Sequence, residues 1–358
     1  IIGRFNDHVD ADRRAQVGRF LDLIELPASQ PTLYFAHLLL PHIPWTYLPT
    51  GQGYVTESPA PGSSPTGWGS DEWLVMQAYQ RHLLQVQYSD RIIGHVIEAL
   101  EDIGIYEDSL IVIAADHGTA DIPEVEHRRV ITTETVGHIA AVPLFMKLPS
   151  MGRVGIDDYR AETVDVLPTI ADVLDLRIPW SVEGTSLLAP TRPTRESTTT
   201  HGPRGEVTFG VSGSEKLDVA ARKARWFLSG DPHSLVPPGH GDLLGARLSS
   251  LRTVNDSTLS IRLDHPEWYT DLDLDSDPFP ARLTGTLLSS ADLTGDVILA
   301  VGLNGRIEAV VRTYNTSANA TEFQVMLPIH AFQTGSNRIE LIVADDSGDQ
   351  RRLLRPAG

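Results

Sequence analysis

Cysteine is absent from this chain of 358 residues. That excludes disulfides, thiolate metal ligands and a cysteine nucleophile among these residues. No apolar run approaches the roughly 18 residues needed to span a bilayer, and no basic stretch followed by an apolar core marks a secretion signal. Positive charge is scarce: 29 Lys and Arg stand against 47 Asp and Glu, a net charge of −18. General nucleic-acid and anionic-membrane binding both need basic surface, so neither is expected. An anionic substrate would require a local positive centre. The chain also lacks an initiating Met, and its opening IIGRFNDHVDADRR reads as the interior of a longer protein.

The remaining composition, 41% hydrophobic and 21% charged, is that of globular material long enough for about two domains at roughly 150 residues each. Residues 32–40, TLYFAHLLL, read as a buried strand that runs into the Pro-rich PHIPWTYLP. From Trp73 to Leu100 apolar residues recur at helical spacing, which predicts one long helix or two in tandem over about 71–103, with Gly104 as the C-cap. A buried strand is predicted at 109–115 and another at 140–148, followed by a helix at 162–174. Pro168 is tolerable there only near a turn boundary. Strand, helix, strand, strand, helix is the grammar of an open α/β sheet. Residues 191–254 read as a Pro/Thr/Arg-rich connector and mixed material. From 255 to 358 short alternating runs separated by turn residues predict a small β-sandwich-like domain that folds by itself and has no chemistry of its own. Within it, Asn304-Gly305 suits a two-residue hairpin turn.

The chemistry concentrates in DSLIVIAADHGTA, residues 108–120. An apolar strand delivers Asp116, His117 and Gly118 in succession. A carboxylate beside an imidazole at the rim of a core is costly unless its charge is compensated, and a divalent ion would do that. The pair suits Zn²⁺, Mn²⁺ or Mg²⁺ better than an all-oxygen Ca²⁺ site. Gly118 would let the backbone turn away from the ion. Ligands of open α/β sheets gather beyond the carboxyl ends of the strands, which brings His42 of PHIPW into consideration. Without further context, an Asp-His-Gly turn with a capping Asp and a solvated His is the commoner outcome.

That context is supplied by HLLLPHIPW, YSDRIIGHVIEALEDIGIYEDSLIVIAADHG, VPLFMKLPS and ETVDVLPTIADVLDLRIPWSVEGTSLL, which follow one another in order over about 30–190. Together they resemble the sulfatase-like branch of the alkaline phosphatase superfamily, and within it the bacterial membrane-attached proteins related to lipoteichoic-acid synthases and phosphoethanolamine transferases. The resemblance implies an α/β sheet-and-helix domain over 1–190, and a parent enzyme that hydrolyses or transfers sulfuric or phosphoric esters with a divalent metal. It gives Asp116 and His117 the role of metal ligands. It gives His42 contact with the transferred group or its leaving oxygen. Arg128 and Arg129 are candidates for binding the anion, as a bidentate pair, and His138 lies near another His of the transferases. Asp90, in the middle of a helix, reads as structural.

The family begins with a strand carrying acidic ligands and a helix carrying a Ser, Thr or formylglycine nucleophile, and nothing before residue 30 has that pattern. The nucleophile is therefore expected upstream, leaving residues 1–358 inactive alone. Membrane attachment, on the extracytoplasmic face, would come only through segments outside this chain. The substrate would be a sulfate or phosphate ester, for example on an envelope glycolipid or wall polymer. The competing expectation is a non-catalytic extracytoplasmic binding module on the same fold.

Overall fold

A computed structural model describes residues 13–24, 31–56, 60–64, 67–126, 130–152, 155–202, 205–210, 221, 223–293, 295–348 and 350–357. They form a mixed α/β protein of two units. The first draws on 1–38, 92–121 and 125–220; the second on 39–91, 122–124 and 221–358. These units interleave along the chain, so they do not coincide with the expected divisions at 190 and 254.

In the first unit, α1 (Arg13–Asp22) precedes the segment 31–40, whose last two residues belong to the second unit. That segment is not the buried strand expected at 32–40. It has no ladder partner among the described residues, and Leu33 and Phe35 are 86% and 80% exposed. An apolar run becomes a strand only where a neighbouring strand takes up its N–H and C=O groups. The other two expected strands do form, as β1 (Ile111–Ala114) and β2 (Leu144–Lys147), but they pair antiparallel with Ile111 opposite Lys147. The three-stranded sheet expected here is thus a two-stranded ladder. Lys147 Nζ secures it by donating to the carbonyls of Tyr106, Glu107 and Ser109 just ahead of β1.

The short helix α3 (Val136–Ile139) lies between the two strands in sequence, and α4 (Val166–Val173) follows them. Pro168 is the third residue of α4, where its missing N–H costs no helical bond. The presumed connector contains a hairpin, β3 (Ser197–Gly202) with β4 (Gly205–Gly210), tied by the Thr199–Thr208 hydroxyl pair. Its Thr-rich, alternately exposed strands carry little hydrophobic signal.

The division between units falls within α2 (Glu72–Asp102), which ends as expected before Gly104 at φ +74°. Asp71 caps it by accepting the amides of Trp73 and Leu74. Seven strands complete the second unit: β5 (Thr253–Leu263), β6 (Arg282–Ser289), β7 (Ile298–Leu303), β8 (Arg306–Arg312), β9 (Ala320–Met326), β10 (Ile339–Asp345) and β11 (Arg352–Ala357). They make one mixed sheet in the order β8-β7-β10-β11-β5-β6-β9, parallel only between β11 and β5. Beyond the end of β8, Tyr314 bridges Glu322 of the opposite edge strand β9, so the sheet curls on itself. Asn304 and Gly305, both at positive φ, turn β7 into β8.

Alternation along these strands fills two cores. Leu283, Leu299, Val311 and Phe323 share one with Leu48, Trp68, Trp73 and Leu84. Ala300, Ile307 and Ile342 share the other with Val236, Leu243 and Leu248. The strands are therefore covered by residues outside 255–358, which corrects the expectation of a self-contained β domain.

Candidate functional site

β1 ends at Ala114, and two residues later the chain presents Asp116 and His117 at the surface of the first unit, with side chains 75% and 33% exposed. Asp116 Oδ1 accepts the His117 backbone N–H at 2.9 Å, which fixes the carboxylate over the turn. His117 Nδ1 lies 2.8 Å from the Gly118 carbonyl oxygen. A carbonyl can only accept, so Nδ1 carries the proton and, in the neutral ring, Nε2 carries the lone pair. That nitrogen is 3.6 Å from Asp116 Oδ2. Two donor atoms at about 2.1 Å from one ion, at a tetrahedral angle, lie about 3.4 Å apart. The spacing is too long for a hydrogen bond and close to the bite of two ligands on one metal. With a protonated ring, the same spacing is an exposed ion pair worth little.

Gly118 meets a different requirement from the one its sequence suggested. It is not at positive φ. Its N–H donates to Ile139 O at 2.7 Å, and a Cβ built there would fall 2.1 Å from His138 O. The glycine lets α3 pack against the turn, and the turn is held in place by that contact. Sequence reasoning missed this role because a close backbone approach leaves no mark except the glycine itself.

The remaining candidates are placed as follows. His138 lies in α3, with both ring nitrogens buried. Arg128 and Arg129 lie outside the described residues. Asp90 is exposed on α2. His42 belongs to the second unit, with Nδ1 2.5 Å from Ile43 O and its carbonyl accepting Gln85 Nε2 at 2.9 Å. The structure thus brings together Asp116 and His117 of the first unit, with the backbone of His138 behind them. Among the described residues no group of three or more His, Cys, Asp or Glu is arranged to hold a metal. Asp116 and His117 fit as two ligands of an ion and leave further ones to be supplied.

Sequence reasoning also missed the ion pair that supports the helix after β2. Asp165, fully buried, is held by Arg195 through two hydrogen bonds of 2.5 and 2.8 Å. It also accepts the amides of Glu162 and Thr185. Burial, the largest single influence, pushes its carboxyl up, but Arg195 and the two amides outweigh it and hold it below the ordinary range.

Residues 10–176 match the Sulfatase family. An arylsulfatase of Clostridium perfringens is 28% identical over 200 residues, covering 52% of this chain and 40% of its own length. The lipoteichoic acid synthase-like YvgJ of Bacillus subtilis is 30% identical over 126 residues, 31% of this chain and 20% of its own. Human arylsulfatase K is 28% identical over 101 residues, 28% of this chain and 18% of its own. The chain thus spans well under half the length of these relatives. No helix among the described residues is long and apolar enough to cross a membrane. With the DHG turn inside the matched region, residues 10–176 are similar to the sulfatase-like members of the alkaline phosphatase superfamily.

Proposed function

We propose that this chain carries the second half of a metal-dependent site that cleaves or transfers sulfuric or phosphoric esters, with Asp116 and His117 as two of its ligands. One observation supports this above the rest: His117 Nε2, made the basic nitrogen by the Nδ1 contact to Gly118, lies 3.6 Å from the Asp116 carboxylate. Asp116 also orients its neighbour by accepting the His117 amide. Mn²⁺, Zn²⁺ or Mg²⁺ held there would supply Lewis-acid stabilisation of charge on the ester oxygens. Arg128 and Arg129 are assigned a share of the substrate's negative charge. The nucleophile and the remaining acidic ligand are assigned to sequence preceding residue 1. The substrate is a sulfate or phosphate ester borne by an envelope glycolipid or wall polymer outside the cytoplasmic membrane.

The test combines binding with turnover. Mn²⁺ titrated into the chain and followed by electron paramagnetic resonance should bind weakly, and Asp116→Ala should abolish that binding. Aryl sulfate and aryl phosphate should be turned over by a longer chain that restores the preceding strand, and negligibly by residues 1–358. Robust turnover by the short chain would show the nucleophile to be misplaced. A longer chain that is inactive and binds no metal would favour the non-catalytic binding module.

A further inference from the structure

The turn from β7 to β8 in the second unit is made by Asn304 and Gly305, at φ +52° and +90°. A two-residue hairpin turn with positive φ at both positions is what Asn followed by Gly forms most readily. The dipeptide that suits the turn is also chemically vulnerable. Gly305 has no side chain to shield its backbone nitrogen, and the electrophilic Cγ of the Asn304 amide lies one residue back, within reach of a five-membered ring closure. Both residues are exposed, so water and base reach them. Asn304 is the only asparagine of the chain that precedes a glycine.

The Asn304 amide is nevertheless held at both ends. Its Oδ1 accepts the Arg338 backbone N–H at 3.0 Å, and its Nδ2 donates to Ala331 O at 3.0 Å and to Asn337 Oδ1 at 2.9 Å. A backbone N–H can only donate and a backbone carbonyl only accept, so these partners fix which end of the amide is which. The Asn304 backbone N–H donates to Arg338 O at 2.9 Å, which closes a ring of contacts between the two residues. Asn337 is 6% exposed and is itself fixed: its Oδ1 also accepts the Gln333 N–H, and its Nδ2 donates to Gln333 O and Gly335 O. The turn conformation requires none of the three side-chain bonds to Asn304, because water could satisfy an exposed amide. Their effect is to pin Cγ where the Asn304 side chain cannot swing onto the Gly305 nitrogen.

We propose that Asn304 is a site of spontaneous deamidation that the folded sheet keeps closed and that opening of the hairpin releases. In the opened turn the Gly305 nitrogen gives its proton to solvent base and bonds to Asn304 Cγ. The Cγ–Nδ2 bond breaks, and Nδ2 takes a proton from water and leaves as ammonia. Water then opens the cyclic imide at either carbonyl, to aspartate or to isoaspartate. The change is one-way for the fold. An oxygen replaces the Nδ2 donor and faces two acceptors, Ala331 O and Asn337 Oδ1, and the isoaspartate adds a methylene to the backbone of a two-residue turn. A transient opening is thereby made permanent. The proposal concerns the second unit only and stands whether or not Asp116 and His117 hold a metal.

The test incubates the full chain at mildly alkaline pH, folded and in urea, and follows the tryptic peptide 283–306 by mass spectrometry. That peptide contains no other asparagine and no glutamine, so the mass gained on amide hydrolysis reports Asn304 alone. The folded chain should convert more slowly than the unfolded one by about tenfold or more, a restraint of several hydrogen bonds being at least of that order. Asn337→Ala removes one acceptor of Nδ2 and should speed conversion severalfold in a chain whose near-ultraviolet circular dichroism shows it to be folded. Asn304→Asp supplies the carboxylate directly and should lower the melting temperature. The proposal is overturned if folded and unfolded wild type convert at the same rate, a comparison that needs no variant to fold. It is equally overturned if folded Asn337→Ala converts no faster than wild type, or if Asn304→Asp melts as wild type does.

Discussion

Arg195 grips Asp165 with both ends of its guanidinium, and Asp165 in turn closes the start of α4 by accepting the Glu162 amide at 2.9 Å. The carboxylate is fully buried, whereas the Arg195 side chain is 13% exposed. Removing the cation leaves a buried charge uncompensated. Arg195→Ala should therefore cost about 3–5 kcal/mol, whereas Arg195→Lys, which keeps the charge and loses the fork, should cost less. Urea denaturation of the three chains orders them.

The same pair sets an acid limit. The Asp165 carboxyl is held below its ordinary value of 3.8. Its contribution to stability is therefore fully present above that value and is lost as pH falls through the lower, folded value. In Arg195→Ala burial acts without its counterweight, so the acid limb of the stability curve should move to higher pH. An unchanged acid limb would show that Arg195 does not set the charge of Asp165.

Gly118→Ala tests how the DHG turn is held. The added methyl would meet the His138 carbonyl oxygen at 2.1 Å, and that atom is backbone. A loss of about 1–3 kcal/mol is expected, together with weaker Mn²⁺ binding as the turn carrying Asp116 and His117 is displaced. His138→Ala keeps the backbone and should leave the glycine contact intact, so it separates the two effects.

Tyr54 offers an alkaline counterpart in the second unit. Its hydroxyl donates to Trp45 O at 2.6 Å, and burial pushes its pKa up to about 12, with Arg81 and Arg282 opposing. The folded state thus favours the neutral phenol. This stabilisation is complete below the unfolded value near 10 and is lost as pH rises through 12. Burial also pushes up the pKa of Tyr269, so ultraviolet titration should show at least two tyrosines fewer ionising near pH 10 in wild type than in the unfolded chain, and Tyr54→Phe should reduce that deficit by one.

How far these features were legible in the sequence depends on the range of the interaction behind each. α2 was legible because its apolar spacing is local and Gly104 ends it. The Asn304-Gly305 turn was legible because the residues that make it also show it. The apolar run at 32–40 misled, because a strand also needs a neighbour to pair with. The Asp116–His117 pair was visible as adjacent residues, but the tautomer that gives Nε2 its lone pair depends on where the Gly118 carbonyl points. The partners Asp165 and Arg195 are 30 residues apart, and no periodicity links them. The β3–β4 hairpin was hidden by its own composition, since the consecutive Ser and Thr residues of 197–200 look like a loop.

The packing of α2 on the curled sheet leads to the last prediction. Trp73 is 3% exposed and Leu84 and Val75 are fully buried, all in one core with Leu283, Phe323 and Val311 of the strands. Polar bonds join the same elements: Gln77 Nε2 donates to Gln324 O at 2.7 Å, and Gln324 Nε2 returns a bond to Gln77 Oε1. Residues 255–358 alone would expose the strand faces that α2 covers and leave the Gln324 side chain short of a partner. Each large core side chain lost is worth about 3–5 kcal/mol, and whole domains are stable by only about 5–15 kcal/mol. The isolated segment should bind a hydrophobic dye and melt without a cooperative transition, whereas a chain that joins 39–91 to 221–358 should melt cooperatively. A sharp transition from 255–358 alone would mean that the sheet holds its shape without the helix, and Trp73→Ala in the full chain should then cost far less than a buried tryptophan normally does.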